Sequence, residues 1–510
     1  MNSMLIELHC HTRKHSGCSR IDPVALIYRL KDKNIQGVVI TEHHYLWKPQ
    51  ELHELREQTD LEPYFLLFSA QEVSTDFGHV LIFGARESIH QRTTVADLRA
   101  RYPEAALVWA HPWRGGAHPS DERLSSRLLD GIEVFSSNHN VRENCRALTD
   151  WHRIKFTATS GSDAHDESVV GILPTFFDHP VESIEEIAEE IRHNRCRPYF
   201  KETIRSGRDT SVTKVTIGPK GEDERRYRLV LRKTADEKHF NGFLHRVQVM
   251  QTIHENGFDR GPYRIPAILK IDKREYLIIE EGMRGKCMYS MLSASSRESG
   301  AQVYRLAARW AASLHKKRLH VAGAGLSMNI EHARFDSYID NARRTFSPFQ
   351  KQIADLIAYV KEAEDMLFVG SPDRFVQCHG DYQPHNILVG QDKSRDFSTL
   401  YVAAIDFGSS YEFPPSFDIG FFLAHFSYQF RNRPDILEWY TDEEFKNEYY
   451  DEYGGIPCES FKLEIDLFRI RANLSIIDLL IHLGKGKSDE LRVLVENSIS
   501  LQKNGMLLNV

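Results

Sequence analysis

In the first two hundred residues short apolar runs recur, and most are followed at once by a residue type that binds metal. MLIEL leads to His9 and His11, GVVIT (37–41) to Glu42, His43 and His44, and YFLLFSA (64–70) to Glu72. His79 then opens VLIFGA, ALVWA (106–110) leads to His111, GIEVFSS follows as a further strand, and FTATSGS (156–162) leads to Asp163 and His165. Between them lie helix-like segments such as DPVALIYRLKDKN, with Asp22 as the expected N-cap and Pro23 in the first turn. Strands alternating with helices, with the chemistry at the strand ends, predict a β/α barrel whose active site lies on one rim. His9 and His11 are one residue apart on extended backbone, so both side chains point the same way and can bite one ion; Asp163 and His165 repeat the spacing. Imidazoles mixed with carboxylates suit Zn, Mn or Fe, and a carboxylate such as Glu72 can bridge two ions.

These motifs resemble the PHP family, the polymerase and histidinol phosphatase metal-dependent phosphoesterases, over roughly residues 4–203. His9 and His11 match its HxH, Thr41-Glu42-His43 its TDH, Glu72 its buried glutamate and His79 its later histidine. Ala110-His111-Pro112 match its AHP and Ser162-Asp163-Ala164-His165 its SDAH. The resemblance implies a distorted seven-stranded β/α barrel holding two or three divalent ions. One would take His9, His11, Glu72 and Asp163, a second Glu72, His79 and His111, and a third His43 and His165. His15 is the candidate for the third ion's remaining ligand, against a solvated loop histidine. Glu42, in place of the usual aspartate, is expected to orient an imidazole. Clustered dications bind phosphate oxygens and acidify a bridging water, so no protein nucleophile is needed. Arg13 and Arg114 are candidates to grip a phosphate, and Trp113 with the GG after Arg114 is expected to form a mobile lip. The helix at 181–194 is expected to close the barrel, and residues 195–211 to mark a boundary.

A second constellation is HGDYQPHNILV (379–389), a polar interruption, and AAIDFG (403–408). Two strands joined by a hairpin would present Asp381, Asn386 and Asp406 at one edge. Phosphoryl transfer from a Mg-nucleotide asks for such a set, with one carboxylate to receive the acceptor's proton and an amide plus a carboxylate on the metal. The pattern resembles the aminoglycoside phosphotransferase and choline kinase family, over about residues 205–510. LAARWAASLHKKRL (306–319) resembles its helix ending in LH, and Asp418 in FDIG its later structural aspartate. That resemblance implies a kinase-like N-lobe at 204–285 and a helical C-lobe at 286–510, using Mg and ATP. Asp381 would be the general base, and Asn386 and Asp406 the Mg ligands. Two strands are expected around a turn at 218–224, with Lys233, or its neighbour Arg232, on the nucleotide phosphates. YLIIE, ending at Glu280, would be the adenine hinge. Arg246 stands where a glutamate is expected to pair with that lysine. The stretch after DFG is too short to dock a peptide, which favours a small hydroxyl acceptor.

Charge narrows the partners. Residues 1–203 hold 23 basic and 30 acidic side chains and the remainder 42 of each, so neither part has the cationic excess of a nucleic-acid track. A nuclease is accordingly disfavoured, while a small phosphorylated metabolite remains compatible with metals that offset the acidity. Seven cysteines without CxxC pairing predict reduced thiols, and no apolar run is long enough for a bilayer, which predicts a cytoplasmic protein with no membrane partner. The combined expectation is an α/β protein with two enzymatic halves, a PHP phosphoesterase and a small-molecule phosphotransferase. The alternative is a hydrolase regulated by an ATP-binding, catalytically weak kinase-like half.

Overall fold

The computed structural model describes residues 3–207, 209–219, 226–321, 324–393 and 396–507. The chain divides into two units, one formed by residues 1–233 with 269–282 and the other by 234–268 with 283–510. The turn expected at 218–224 lies largely outside the described residues.

In the first unit a nine-stranded sheet is built from β1 (Met4–Glu7), β2 (Gly37–His43), β3 (Leu66–Thr75), β4 (Gly78–Phe83), β5 (Ala106–Trp109), β6 (Gly131–Ser136), β7 (Ala158–Gly161), β8 (Thr175–Phe177) and β9 (Cys196–Pro198). Their order is β7-β6-β5-β4-β3-β2-β1-β8-β9. β1, β2 and β3 run parallel, as do β5, β6 and β7, whereas β4 is antiparallel to both its neighbours. The sheet is nearly closed: Ser160 N on β7 donates to Thr175 Oγ1 on β8 (2.9 Å), and that hydroxyl donates back to Ser160 O (2.8 Å). Nine strands replace the seven expected, because the antiparallel pair β8 and β9, joined through the closing helix, covers the edge that β1 would otherwise leave open.

Asp22 caps helix Pro23–Asp32 as expected, accepting from Val24 N and Ala25 N. The expected closing helix spans Ile184–Arg192 and buries Ile187, Ala188 and Ile191 among Phe83, Val108 and Val181. A five-stranded sheet follows, with neighbours in the order Phe200–Ser206, Thr210–Ile217, Tyr227–Thr234, Leu277–Glu281 and Ile268–Asp272. One face of it, carrying Val215, Ile217, Leu229 and Ile279, shares a core with Trp109, Trp113, Val134 and Phe135 of the barrel.

The second unit is mainly helical. Strands Ile387–Gln391 and Leu400–Ala404 pair antiparallel with Val389 opposite Val402, the expected hairpin. The unit's longer helices include Arg297–Lys316, which packs on Leu400–Ala404, and Ser416–Gln429 and Phe461–His482, which pack on each other. All seven cysteines are free thiols, and among the described residues no helix is long and apolar enough to cross a membrane.

Ile217 is fully buried in the core that joins the barrel to the five-stranded sheet. Ile217→Ala is therefore expected to cost about 2–5 kcal/mol, read as a lower urea midpoint for the first unit, and an unchanged midpoint would refute the shared core.

Candidate functional site

The strand registers bring the barrel's candidate ligands to one rim. His43 at the end of β2 lies opposite Glu72 on β3, and His79 on antiparallel β4 lies opposite Ser74, two residues further along. A bridge between Cys10 and Ala164 sets the stretch after β1 beside the stretch after β7. His111 (φ 33°) and Asp163 (φ 45°) both take left-handed backbone, strain of the kind that concentrates at functional sites.

Eight side chains form three interlocking groups whose ligand atoms lie within 4.8 Å of one another: His9, His11, Glu72 and Asp163; Glu72, His79 and His111; and His11, His43 and His165. Glu72 stands at the centre. Its Oε1 is 2.7 Å from His79 Nδ1 and 3.1 Å from His111 Nε2, and its Oε2 is 3.0 Å from His43 Nδ1 and 3.1 Å from His11 Nε2. Yet Glu72 Oε2, Asp163 Oδ1 and His79 Nδ1, all buried, take no hydrogen bond among the described residues. Close approach without hydrogen-bond geometry is how lone pairs aimed at a shared cation are arranged. This donor set therefore fits divalent metal, with N and O ligands suited to Zn, Mn or Fe.

The electrostatics agree. Burial pulls His9 and His11 down, but the carboxylates overcome it. Asp163, Glu133 and Glu72 hold His9 well above its ordinary value, and Asp163 and Glu72 push His11 up to about 9. Burial raises Glu72, and the imidazoles of His9, His11, His111 and His43 more than reverse this, holding it well below the usual carboxylate range. Protons on these rings occupy the electrostatic role that dications would take, so metal binding would release them.

The structure also corrects several expectations. His15 is not brought to the third group; its Nε2 meets Glu51 Oε1 (2.9 Å) and its ring stacks on Tyr45 at 3.9 Å, while His11 takes the place expected for it. Glu42 orients no imidazole, because Thr12 N (3.1 Å) and Trp47 Nε1 (3.1 Å) donate to it. Arg13 turns to Asp22 on the surface, whereas Arg114 lines the metal-side cleft with His79, His111 and Asp163. Trp113 is no mobile lip: it is fully buried, its Nε1 donates to Asp150 Oδ2 (3.0 Å), and Gly116 N is held by Glu143 Oε1 (2.6 Å).

Two buried acids were missed. Glu133 on β6 accepts from His9 Nδ1 (2.9 Å) and His111 N (2.9 Å), aiming the other nitrogen of His9 at the group. Glu7 on β1 accepts from His9 N (3.0 Å) and Ser162 N (2.8 Å), and burial pushes it up to about 7. The signal was present, since GIEVF and MLIEL each place an acid inside an apolar strand that leads toward ligands.

In the first unit, Lys233 pairs with Glu275 on the exposed surface, on the strand face of Leu229 and Leu231. The period-two alternation of a strand instead turns Arg232 to the other face, where its Nε donates to Glu280 Oε1 (2.9 Å). Glu280 is itself buried on Leu277–Glu281, in the strand expected to be the hinge.

In the second unit, Asn386 Nδ2 donates to Asp381 Oδ2 (2.7 Å) and Gln383 Nε2 to Asp381 Oδ1 (2.6 Å). Burial pushes Asp381 up to about 6, the range a general base needs near neutrality. Asp418 is buried beneath this loop, accepting from His379 N (2.7 Å), Gly380 N (2.9 Å) and His315 Nε2 (3.1 Å). Asp406 sits at left-handed φ (69°), half-exposed, with Arg246 Nη1 3.3 Å from its Oδ1.

Comparison with known proteins bears on the second of these sites. Residues 202–454 match the phosphotransferase enzyme family model, APH. The C-terminal region thus carries an APH-type, kinase-like domain. Residues 141–196, which include Asp163 and His165, match a second model, described as PHP-associated. No curated protein matches the chain. Similar solved structures include an ethanolamine kinase of Plasmodium vivax, 16% identical over 59% of this chain and 82% of that one (TM-score 0.37). Another is a choline kinase of Cryptosporidium parvum, 15% identical over 61% of this chain and 91% of that one (TM-score 0.41).

A Cβ added at Gly161 would stand 2.3 Å from His9 Cβ and 2.7 Å from Glu133 Oε1. Elemental analysis of Gly161→Ala is expected to show metal loss without any ligand being touched. Glu133→Gln should weaken metal binding about 10–100-fold in chelator competition, whereas His15→Ala should leave metal content unchanged.

Proposed function

We propose that the chain joins two phosphoryl chemistries in one cytoplasmic protein. Residues 1–203 act as a PHP-type, metal-dependent phosphoesterase on a small phosphorylated metabolite. Residues 204–285 and 286–510 act as the two lobes of an ATP-dependent phosphotransferase whose acceptor is a hydroxyl on a small molecule. The observation that carries the first half is the convergence of buried His9, His11, Glu72, His111 and Asp163 with half-buried His43, His79 and His165, with ligand atoms left without hydrogen bonds. When bound there, divalent ions supply Lewis acidity toward a phosphoryl group and acidify water. Glu133 and Glu7 hold His9 in place, Asn138 donates to Asp163 and fixes it, and Arg114 is the side chain placed to grip phosphate oxygens at the cleft.

For the second half, Asp381 accepts the proton of the acceptor hydroxyl while Asn386 and Gln383 hold its carboxylate still. Asn386 and Asp406 offer one amide oxygen and one half-exposed carboxylate, a set that suits Mg, which keeps several waters and the nucleotide's own phosphates as ligands. Of the two candidates on the strand Tyr227–Thr234 for a contact to nucleotide phosphates, Arg232 rather than Lys233 is the one held by a buried acid, Glu280.

The second reading, a nucleotide sensor that gates the hydrolase, is favoured by one contact, Arg246 on Asp406. Asp381→Asn decides between them. If the domain is an enzyme, the substitution abolishes ATP consumption and leaves the protection by ATP against heat intact; a wild-type protein that binds ATP without consuming it, yet changes its rate of aryl phosphate hydrolysis, supports the sensor. A purified chain that neither hydrolyses an aryl phosphate with Mn or Zn nor binds Mg-ATP would sink both.

A further inference from the structure

Two basins open side by side on the rim of the barrel and share His79, His111 and Arg114. The metal-side basin, about 500 Å³, is lined by the acids Glu72, Asp163 and Asp166 as well as imidazoles. The other, about 650 Å³, has no carboxylate in its lining. It has instead an apolar floor from Phe77, Trp109, Pro112 and Pro119, and, beside the shared His79 and His111, three further side chains able to carry positive charge: Arg114, His118 and Arg123. In a half with an acidic excess, this basin sets cations and no acid beside the candidate ligands, in contrast to the acid-lined basin next to it.

The cations are also uncommitted to anions. Neither Arg114 nor His118 has a side-chain partner among the described residues. Arg123 donates only to the carbonyl of Asp76 (3.3 Å), with its guanidinium 4.8 Å above the Phe77 ring, a stacking that holds the fork at the basin's edge. Ser120 Oγ accepts from Arg123 N (3.3 Å) and so caps the short helix that carries Arg123. The loop bearing Arg114 and His118 is anchored as well, since Arg146 donates to Gly116 O (3.4 Å) and Ala117 O (3.2 Å).

We propose that this second basin receives the leaving group of the ester, and that the natural leaving group carries a second anionic group on a compact, apolar or planar carbon body. The inference rests on the phosphoesterase reading: the scissile phosphoryl lies at the ligand groups, and His79, His111 and Arg114 mark the passage from one basin to the other. Water's oxygen joins phosphorus as the bond to the ester oxygen breaks, and that oxygen leaves with a proton into the second basin. There the apolar floor takes the carbon body, and Arg123 and His118 take its distal anion.

The test compares phenyl phosphate with 4-carboxyphenyl phosphate on the Mn-loaded full-length protein, in the wild type and in Arg123→Ala and His118→Ala. The wild type is expected to favour the carboxylated ester by about tenfold in KM, a charge-assisted contact's worth, and each substitution to erase most of that preference. Equal KM values in the wild type, or a preference that survives both substitutions, overturn the proposal. Binding of phenylphosphonate and 4-carboxyphenylphosphonate, measured by calorimetry, separates this from failure of the parent reading. Absent hydrolysis of either ester counts against the phosphoesterase, whereas the same preference, sensitive to Arg123, still supports the anion-accepting basin, and equal binding refutes it.

Discussion

Glu72 is a carboxylate sealed inside the barrel, 1% exposed, with one oxygen that takes no hydrogen bond. Burying a charge in that way costs several kcal/mol unless cations meet it, and in this protein the cations can only be imidazolium rings or metal ions. The rest of the rim follows from that requirement. His11, His43, His79 and His111 come from four different strand ends, and each places a nitrogen within 3.1 Å of Glu72. A set held by protons alone would be positive, crowded and pH-labile, whereas two or three dications satisfy the same lone pairs with the rings neutral.

Such a centre needs a second layer, and the barrel interior supplies it in an unusual form. Where most barrel cores are filled by branched apolar residues, the strands here bring Glu7 and Glu133 inward, both buried and both bonded to the ligand histidines or their backbone. Gly161 is the complement of this layer, since His9 and Glu133 occupy the space that its side chain would need. The price of a polar core is met in part by the hydrogen bonds that Glu133 and Glu7 accept from His9, although Glu7 Oε2 itself takes none.

Much of this was legible in the sequence because it rests on short-range geometry. HxH on a strand and Asp-x-His after a strand constrain direction by the period of two, and strand ends gather on one rim whatever the helices between them do. What depends on tertiary placement was not legible. His15 was the candidate for a remaining ligand against a solvated loop histidine, and Glu51 and Tyr45, contributed from beyond β2, capture its ring. Lys233 and Arg232 differ by one step of register, and no composition rule says which face meets the barrel; the shared core with Leu229 decides it. The same core explains why the strand Tyr227–Thr234, expected to begin a separate lobe, lies almost wholly in the first unit by packing.

The remaining departure, Arg246, can be weighed by magnitude. Its guanidinium is buried but Asp406 is 52% exposed, and the two approach at 3.3 Å through a single nitrogen. With Asp406 half-solvated and a single nitrogen in contact, solvent screens the attraction and the pair is weaker than a fully buried bidentate one. On the proposed reading, in which Asp406 would hold Mg, the pair would be a resting contact for a Mg-nucleotide to displace rather than a lock. Nor does Asp381 depend on it, since that carboxylate is held by Gln383 and Asn386. On that reading Arg246 would alter how the proposed metal side is balanced before nucleotide arrives, while Asp381, its raised proton affinity and the buried Asp418 beneath it are assembled independently of Arg246, which supports the enzyme reading over the sensor.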